Sequence, residues 1–330
     1  MANLSDRVKL VGSAAALLVV IGLAFSRSSY APSLLGSNLA TNANELKVAS
    51  WNMAAINNNP FEYWLTLSNE HYDSVMNSVQ EFIMDPGEKD VKVKEVFTQA
   101  MFDELVSTMQ HQGGQYDRDS IKAVTKLWKS DFSQRRIVSD FIRDGELGQK
   151  RLTSMPDRIT NTVALRDGSF AYRPTVINCF AGSLDSTEEW WSKWRKFMFV
   201  DAIDTVKVGS KKPADMLAKI PRAKYPLLTV EEERISVPLQ TLICAIFDCI
   251  LVHMLNTLDA ELLDGASQSA LRAAPEGDQS WQGLRSQICH SLNLKKNDRI
   301  LEILKDAYSD RDVISLQEVA GAFIERAKAD

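Results

Sequence analysis

The chain has 330 residues, of which 45% are hydrophobic and 25% charged, with a formal net charge of −5 and a pI near 5.6. That composition is ordinary for a globular protein, and the length suffices for a large core or for one to two domains. The acidic balance argues against sequence-blind nucleic-acid binding, which needs a basic footprint to displace counterions, unless a metal ion supplies local positive charge.

Asp6, Arg7 and Lys9 precede residues 10–25, a stretch without a charged side chain, and Arg27 follows it. The stretch is slightly short for a bilayer span and long for a signal h-region. Ala24-Phe25-Ser26 places small residues where a signal peptidase reads. Residues 1–26 therefore read as a cleaved signal peptide or an uncleaved N-terminal membrane anchor, the plainer alternative being a buried helix. Either functional reading sends the chain into or across a membrane, along the secretory route. Residues 27–45, rich in Ser, Asn, Gly and Ala, read as a linker.

A first strand is predicted over 46–52, within a segment 46–64 that contains an Asn57-Asn58-Asn59-Pro60 turn. Pro60 suits the first position of a helix. From 65 to 292 the pattern is mainly helical. Val96, Phe97, Met101, Leu105 and Met109 recur at helical spacing, and Gly113-Gly114 ends that helix. Gly145 and Gly148 are expected to close a later one. Residues 163–165 and 170–172 flank Asp167-Gly168 and predict a hairpin. Residues 174–180 look extended.

Ser186-Thr187-Glu188-Glu189 opens a helix carrying Trp190, Trp191 and Trp194. The basic stretch 207–224 reads as a loop with one short helix. Residues 238–263 form the most apolar internal segment and predict a core helix rather than a second transmembrane span. Residues 267–279 are a small-residue loop. Helices over 281–292 and 298–307, a strand over 313–317 and a terminal helix over 321–329 complete the chain.

Four cysteines, Cys179, Cys244, Cys249 and Cys289, have no spacing that defines a disulfide framework in a chain this long. Cys244, Cys249 and His253 do not share one helical face and lack a fourth ligand, so they read as core residues. Cys289-His290 has no third partner nearby. Trp190-Trp191-Ser192-Lys193-Trp194-Arg195-Lys196 interleaves rings with bases, but its helical spacing reads first as a packing stripe. His71 and His111 are expected to be solvated.

The chemistry rests on two segments. Ser50-Trp51-Asn52-Met53 ends an apolar strand on an amide, and Asp312-Val313-Ile314-Ser315-Leu316-Gln317-Glu318 ends one on a carboxylate. Laid parallel, the two strands would present Asn52 and Glu318 at the same end of a sheet. Hard divalent cations take such oxygen ligands.

These segments resemble the first two motifs of the endonuclease/exonuclease/phosphatase superfamily, which includes DNase I, apurinic endonucleases, sphingomyelinases and inositol-polyphosphate 5-phosphatases. The resemblance implies that Asn52 organises the active site and that Glu318 binds a catalytic Mg²⁺ or Mn²⁺, with Asn52 contributing to the metal site. It implies a phosphate-ester substrate: a lipid headgroup, a nucleotide or a nucleic acid.

The family's later motifs, Gly-Asp-x-Asn and Asp-His, are not found; the nearest segment is Gly277-Asp278-Gln279-Ser280. The chain thus reads as the N-terminal portion of a phosphoesterase, inactive as it stands. Its fold class is α+β, mostly α: the first two strands of a DNase I-like sandwich, over 46–64 and 293–330, interrupted by the helical module 65–292. The alternative is a non-enzymatic, mostly helical, membrane-anchored interaction protein. No protein partner is identifiable from the sequence.

Overall fold

The computed structural model describes residues 45–54, 59, 61, 64, 65, 67, 69–265 and 280–328. The apolar N-terminal segment, nearly all of the linker, Pro60 and the loop 267–279 lie outside the described residues.

The chain is α+β and mostly α. Strand β1 (Val48–Asn52) is followed by helices α1 (Glu70–Met84), α2 (Val93–Val96), α3 (Gln99–Gln112) and α4 (Arg118–Ser130). Asn69, Thr98 and Asp117 start α1, α3 and α4 by accepting from backbone N–H groups that the helix itself cannot satisfy. Gly113, at φ 65°, stops α3, as its sequence position suggests.

A π-helical turn (Ile137–Ile142) leads to α5 (Gly145–Gln149). Here the expectation fails. Gly145 and Gly148 sit inside a short helix, because the Asp144 side chain caps the N–H groups of Glu146 and Leu147.

Next come α6 (Ser154–Thr160) and the predicted hairpin, β2 (Thr162–Ala164) with β3 (Phe170–Tyr172). Residues 174–180 are a turn-rich loop and not extended. The Asn178 amide donates to Asn161 O and Arg173 O and accepts from Phe180 N, so a side chain does the bonding a neighbouring strand would do. Helix α7 (Thr187–Phe199) is capped by Ser186.

The stretch read as a basic loop also contributes a strand. β5 (Gly209–Lys211) pairs with β4 (Ile203–Thr205) before α8 (Pro213–Met216). The remaining elements are α9 (Val230–Arg234), α10 (Ser236–Gly265), α11 (Trp281–Cys289), α12 (Lys296–Ala307), β6 (Val313–Gln317) and α13 (Gly321–Lys328).

Helix α10 is apolar on all sides and therefore demands burial on all sides. It packs against α1, α2, α4, α6, α7, α9 and α11. Among the described residues, Ser236–Glu261 is the one helix long and apolar enough to cross a membrane; 83% of its apolar window is covered by the rest of the fold. Core placement is thus what the structure gives.

One carboxylate, Asp248, lies fully buried on this helix. It accepts from Arg173 Nε (2.7 Å) and Nη2 (3.1 Å), Thr175 Oγ1 (2.7 Å) and Trp194 Nε1 (2.8 Å). Arg173, equally buried, also donates to Thr160 Oγ1 (2.7 Å) and Asp157 (3.0 Å). Burial works most strongly against the guanidinium charge, but Asp248, Cys244 and Asp157 together outweigh it and the Arg173 pKa is raised. Asp157 is held above its ordinary pKa, chiefly by burial, with Arg173 pulling the other way.

Two hydrophobic clusters result. The large one takes in the helical module around α10. The small one contains Met53, Ile300, Leu301 and Phe323, with Trp51, Leu304, Leu316 and Val319 packed against it.

Cys179 and Cys289 form a disulfide across 110 residues, a pairing that the cysteine spacing left unassigned. Chain spacing carries no information about a pair this distant; only the packing of the 174–180 loop on α11 brings the sulfurs together. Arg285 of α11 reinforces the same contact through Thr175 O (3.0 Å) and Phe180 O (2.6 Å). Burial lowers the Arg285 pKa to about 10.

Two outcomes are expected. Asp248→Ala strands a buried Arg173 charge and should cost about 3–5 kcal/mol, read as a fall in the urea midpoint. The Cys179→Ser/Cys289→Ser pair should cost about 2–4 kcal/mol in the same assay. A midpoint within error of wild type would show that the residues concerned do not hold the module together.

Candidate functional site

β1 and β6 pair in parallel, with Val48 opposite Val313 and Asn52 opposite Gln317. The alternation in both strands explains the register. Ala49, Trp51, Ile314 and Leu316 are the half-buried positions, and Trp51 and Leu316 join the small cluster. A one-residue slip would turn these side chains to solvent.

The intervening positions form the exposed face. There Gln317 Nε2 donates to Ser50 Oγ across the pair (3.0 Å) and to Ser315 Oγ (3.3 Å). Lys47 N donates to Asp312 Oδ2 (2.8 Å), fixing the opposite end. Helix α12 supplies Ile300 and Leu301 beneath the strands and completes a β-α-β arrangement.

Both strands finish at the same edge. The carboxyl end of parallel strands is where open α/β sheets place their ligands. Asn52 is exposed, and its Oδ1 accepts from Ala54 N (2.8 Å), which folds the chain back on itself. Ala54 then adopts φ 51°. Glu318, the residue after β6, is exposed and adopts φ 50°.

Among the described residues only three other than glycine take positive φ, and two of them are these strand ends. Each costs on the order of 1–2 kcal/mol. Strain of this kind persists where the surroundings impose it, and it clusters at functional sites.

Lys296, the first residue of α12, closes the edge from the third side. Its Nζ donates to Ala54 O (3.2 Å). Burial lowers its ammonium pKa, while the nearby Glu318 carboxylate raises it. A carboxylate, an amide and an ammonium therefore share the edge.

The donor chemistry suits a hard cation. Mg²⁺ keeps several waters and needs only one or two carboxylates. Glu318 presents such a carboxylate to solvent. Asn52 Oδ1 is already engaged by Ala54 N, so the amide first shapes the turn and has one lone-pair direction left for a metal. Among the described residues no group of three or more His, Cys, Asp or Glu side chains is placed to hold a metal.

The other candidates resolve as packing. Cys244 and Cys249 are buried thiols whose pKa values burial pushes up; Cys244 lies against Asp248 and Cys249 against Val96 O. The indole N–H groups of Trp190, Trp191 and Trp194 are spent on Pro174 O, Glu104 and Asp248. Cys289 is in the disulfide. His71 is mostly buried, with Nε2 4.0 Å from Asp259, against the expectation of a solvated ring; α1 packing on α10 brings the two together. His111 is exposed, as expected, with Nδ1 2.6 Å from Ser107 O.

Lys296 and Ala54 were not singled out by the sequence. The one available signal was Lys295-Lys296-Asn297-Asp298 opening the amphipathic helix just before the Asp-Val-Ile strand.

No curated protein and no solved structure matches the chain. A family model described as a domain of unknown function, DUF8234, matches residues 90–263, the stretch from just before α2 to the last turn of α10. That stretch exceeds half of the 330 residues and contains both Arg173 and Asp248. The chain therefore belongs to the DUF8234 family.

Proposed function

We propose that the β1–β6 edge is the metal-binding part of a divalent-cation-dependent phosphoesterase of the endonuclease/exonuclease/phosphatase kind. The observation that carries this reading is the parallel register, which puts Asn52 opposite Gln317 and Glu318 one step beyond. Glu318 would hold the Mg²⁺ or Mn²⁺. The ion would supply charge neutralisation on the phosphate and an acidified water for attack on the ester. Asn52 would keep the turn at Ala54 in place and orient the adjoining ligand.

The substrate class is a phosphate ester: a lipid headgroup, a nucleotide or a nucleic acid. The acidic charge and the apolar residues 10–25 tilt the choice from DNA toward a membrane-associated or secretory-pathway substrate. The Cys179–Cys289 disulfide supports the same compartment, since disulfides persist where the surroundings oxidise thiols.

The second reading is a non-enzymatic, membrane-anchored interaction protein. Its support is the helical module itself, where Arg173 and Asp248 are committed to one another in the core.

Metal binding separates the two. Mn²⁺ titration followed by electron paramagnetic resonance should show one site, weakened about tenfold or more by Glu318→Ala and unchanged by Glu325→Ala. Equal affinity in wild type and Glu318→Ala removes the ligand role. A companion outcome concerns strain: Ala54→Gly should stabilise the protein by ~0.5–1 kcal/mol, because glycine accepts a positive φ without steric cost. A loss of stability there would show that the turn is not strained.

A further inference from the structure

We propose that Lys296 is the phosphate-contacting side chain of the β1–β6 edge, an anion ligand that the two strand motifs do not themselves supply. The proposal rests on the phosphoesterase reading for its substrate class, but it is testable without metal or turnover.

Lys296 begins the twelve-residue helix α12, and its ammonium donates to Ala54 O at 3.2 Å, at the turn that follows β1. Its location is fixed from two sides: α12 is anchored through Ile300 and Leu301, and Ala54 through the Asn52 side chain. The ammonium is half-buried and feels the Glu318 carboxylate. Asp298, the acid in the first turn of α12, is engaged by Arg326 (2.9 Å).

A phosphate at this edge would lie between a cation held by Glu318 and the Lys296 ammonium. Two positive charges on opposite sides match the charge of a phosphate ester, and a lysine donates to such an anion through charge-assisted hydrogen bonds. A purely structural lysine would tie α12 to the β1 turn and do nothing more. The two roles differ in what arginine can replace, and in whether free phosphate reports on the residue.

The test uses the full chain in EDTA, with inorganic phosphate as the probe and isothermal titration or ³¹P line broadening as the readout. Wild type should bind phosphate. Lys296→Met should weaken binding by about tenfold or more, the scale of one charge-assisted hydrogen bond. Lys296→Arg should restore it, and Lys122→Met, on the exposed face of α4, should leave it unchanged. Urea midpoints of Lys296→Met and Lys296→Arg separate loss of fold from loss of ligand.

No phosphate binding by wild type, equal binding by Lys296→Met, or an equal loss in Lys122→Met each overturns the proposal. Phosphate binding that depends on Lys296 in a protein that binds no Mn²⁺ would leave the proposal standing and remove the metal site instead.

Discussion

Asp248 and Arg173 are the constraint around which the helical module closes. Each is fully buried, and each would be costly alone. Together with Thr160, Thr175, Asp157 and Trp194 they satisfy one another and join α6, the loop after β3, α7 and α10. An apolar helix such as α10 can pack in many rotations and registers, because one leucine resembles the next. A single buried carboxylate removes that freedom, since one orientation alone delivers four donors to it.

The same logic recurs on a smaller scale at the strand pair. Apolar alternation sets the face that turns inward, while Gln317 reaching Ser50 and Asp312 reaching Lys47 fix the register from the polar side. The disulfide and Arg285 then bind the 174–180 loop to α11, which leads by a π-helical turn into α12. Helix α12 supplies both the core of the small unit, through Ile300 and Leu301, and the ammonium at its edge.

Much of this is written locally. The two strands are short β-favouring runs with polar ends; the second occupies 313–317 as read, and the first starts at Val48, two residues later than read, and ends at Asn52. Asp167-Gly168 announces its hairpin, and the uncharged, largely apolar run 238–247 announces α10. What was not legible depends on groups that meet only in space. Arg173 and Asp248 are 75 positions apart, and Cys179 and Cys289 are 110 apart. Asn178 looks like a strand residue in an apolar run until its amide is seen holding a loop. Ala54 carries no sign of a left-handed backbone; the Asn52 side chain imposes it. At the site, the amide and the carboxylate could be read from motif order, but Lys296 required the helix to be placed.

The strand pair also bears on how the polypeptide is made. Ser50 and Gln317 hydrogen-bond across 267 positions. At ordinary ribosome speeds the first strand waits on the order of 15–50 s for its mate to be synthesised. All of the helical module is translated in that interval, and it carries its own core. The β1–β6 edge can thereby assemble only after the whole helical module has been synthesised. Any slowing of the module's collapse would leave β1 as a lone sticky segment in the nascent chain.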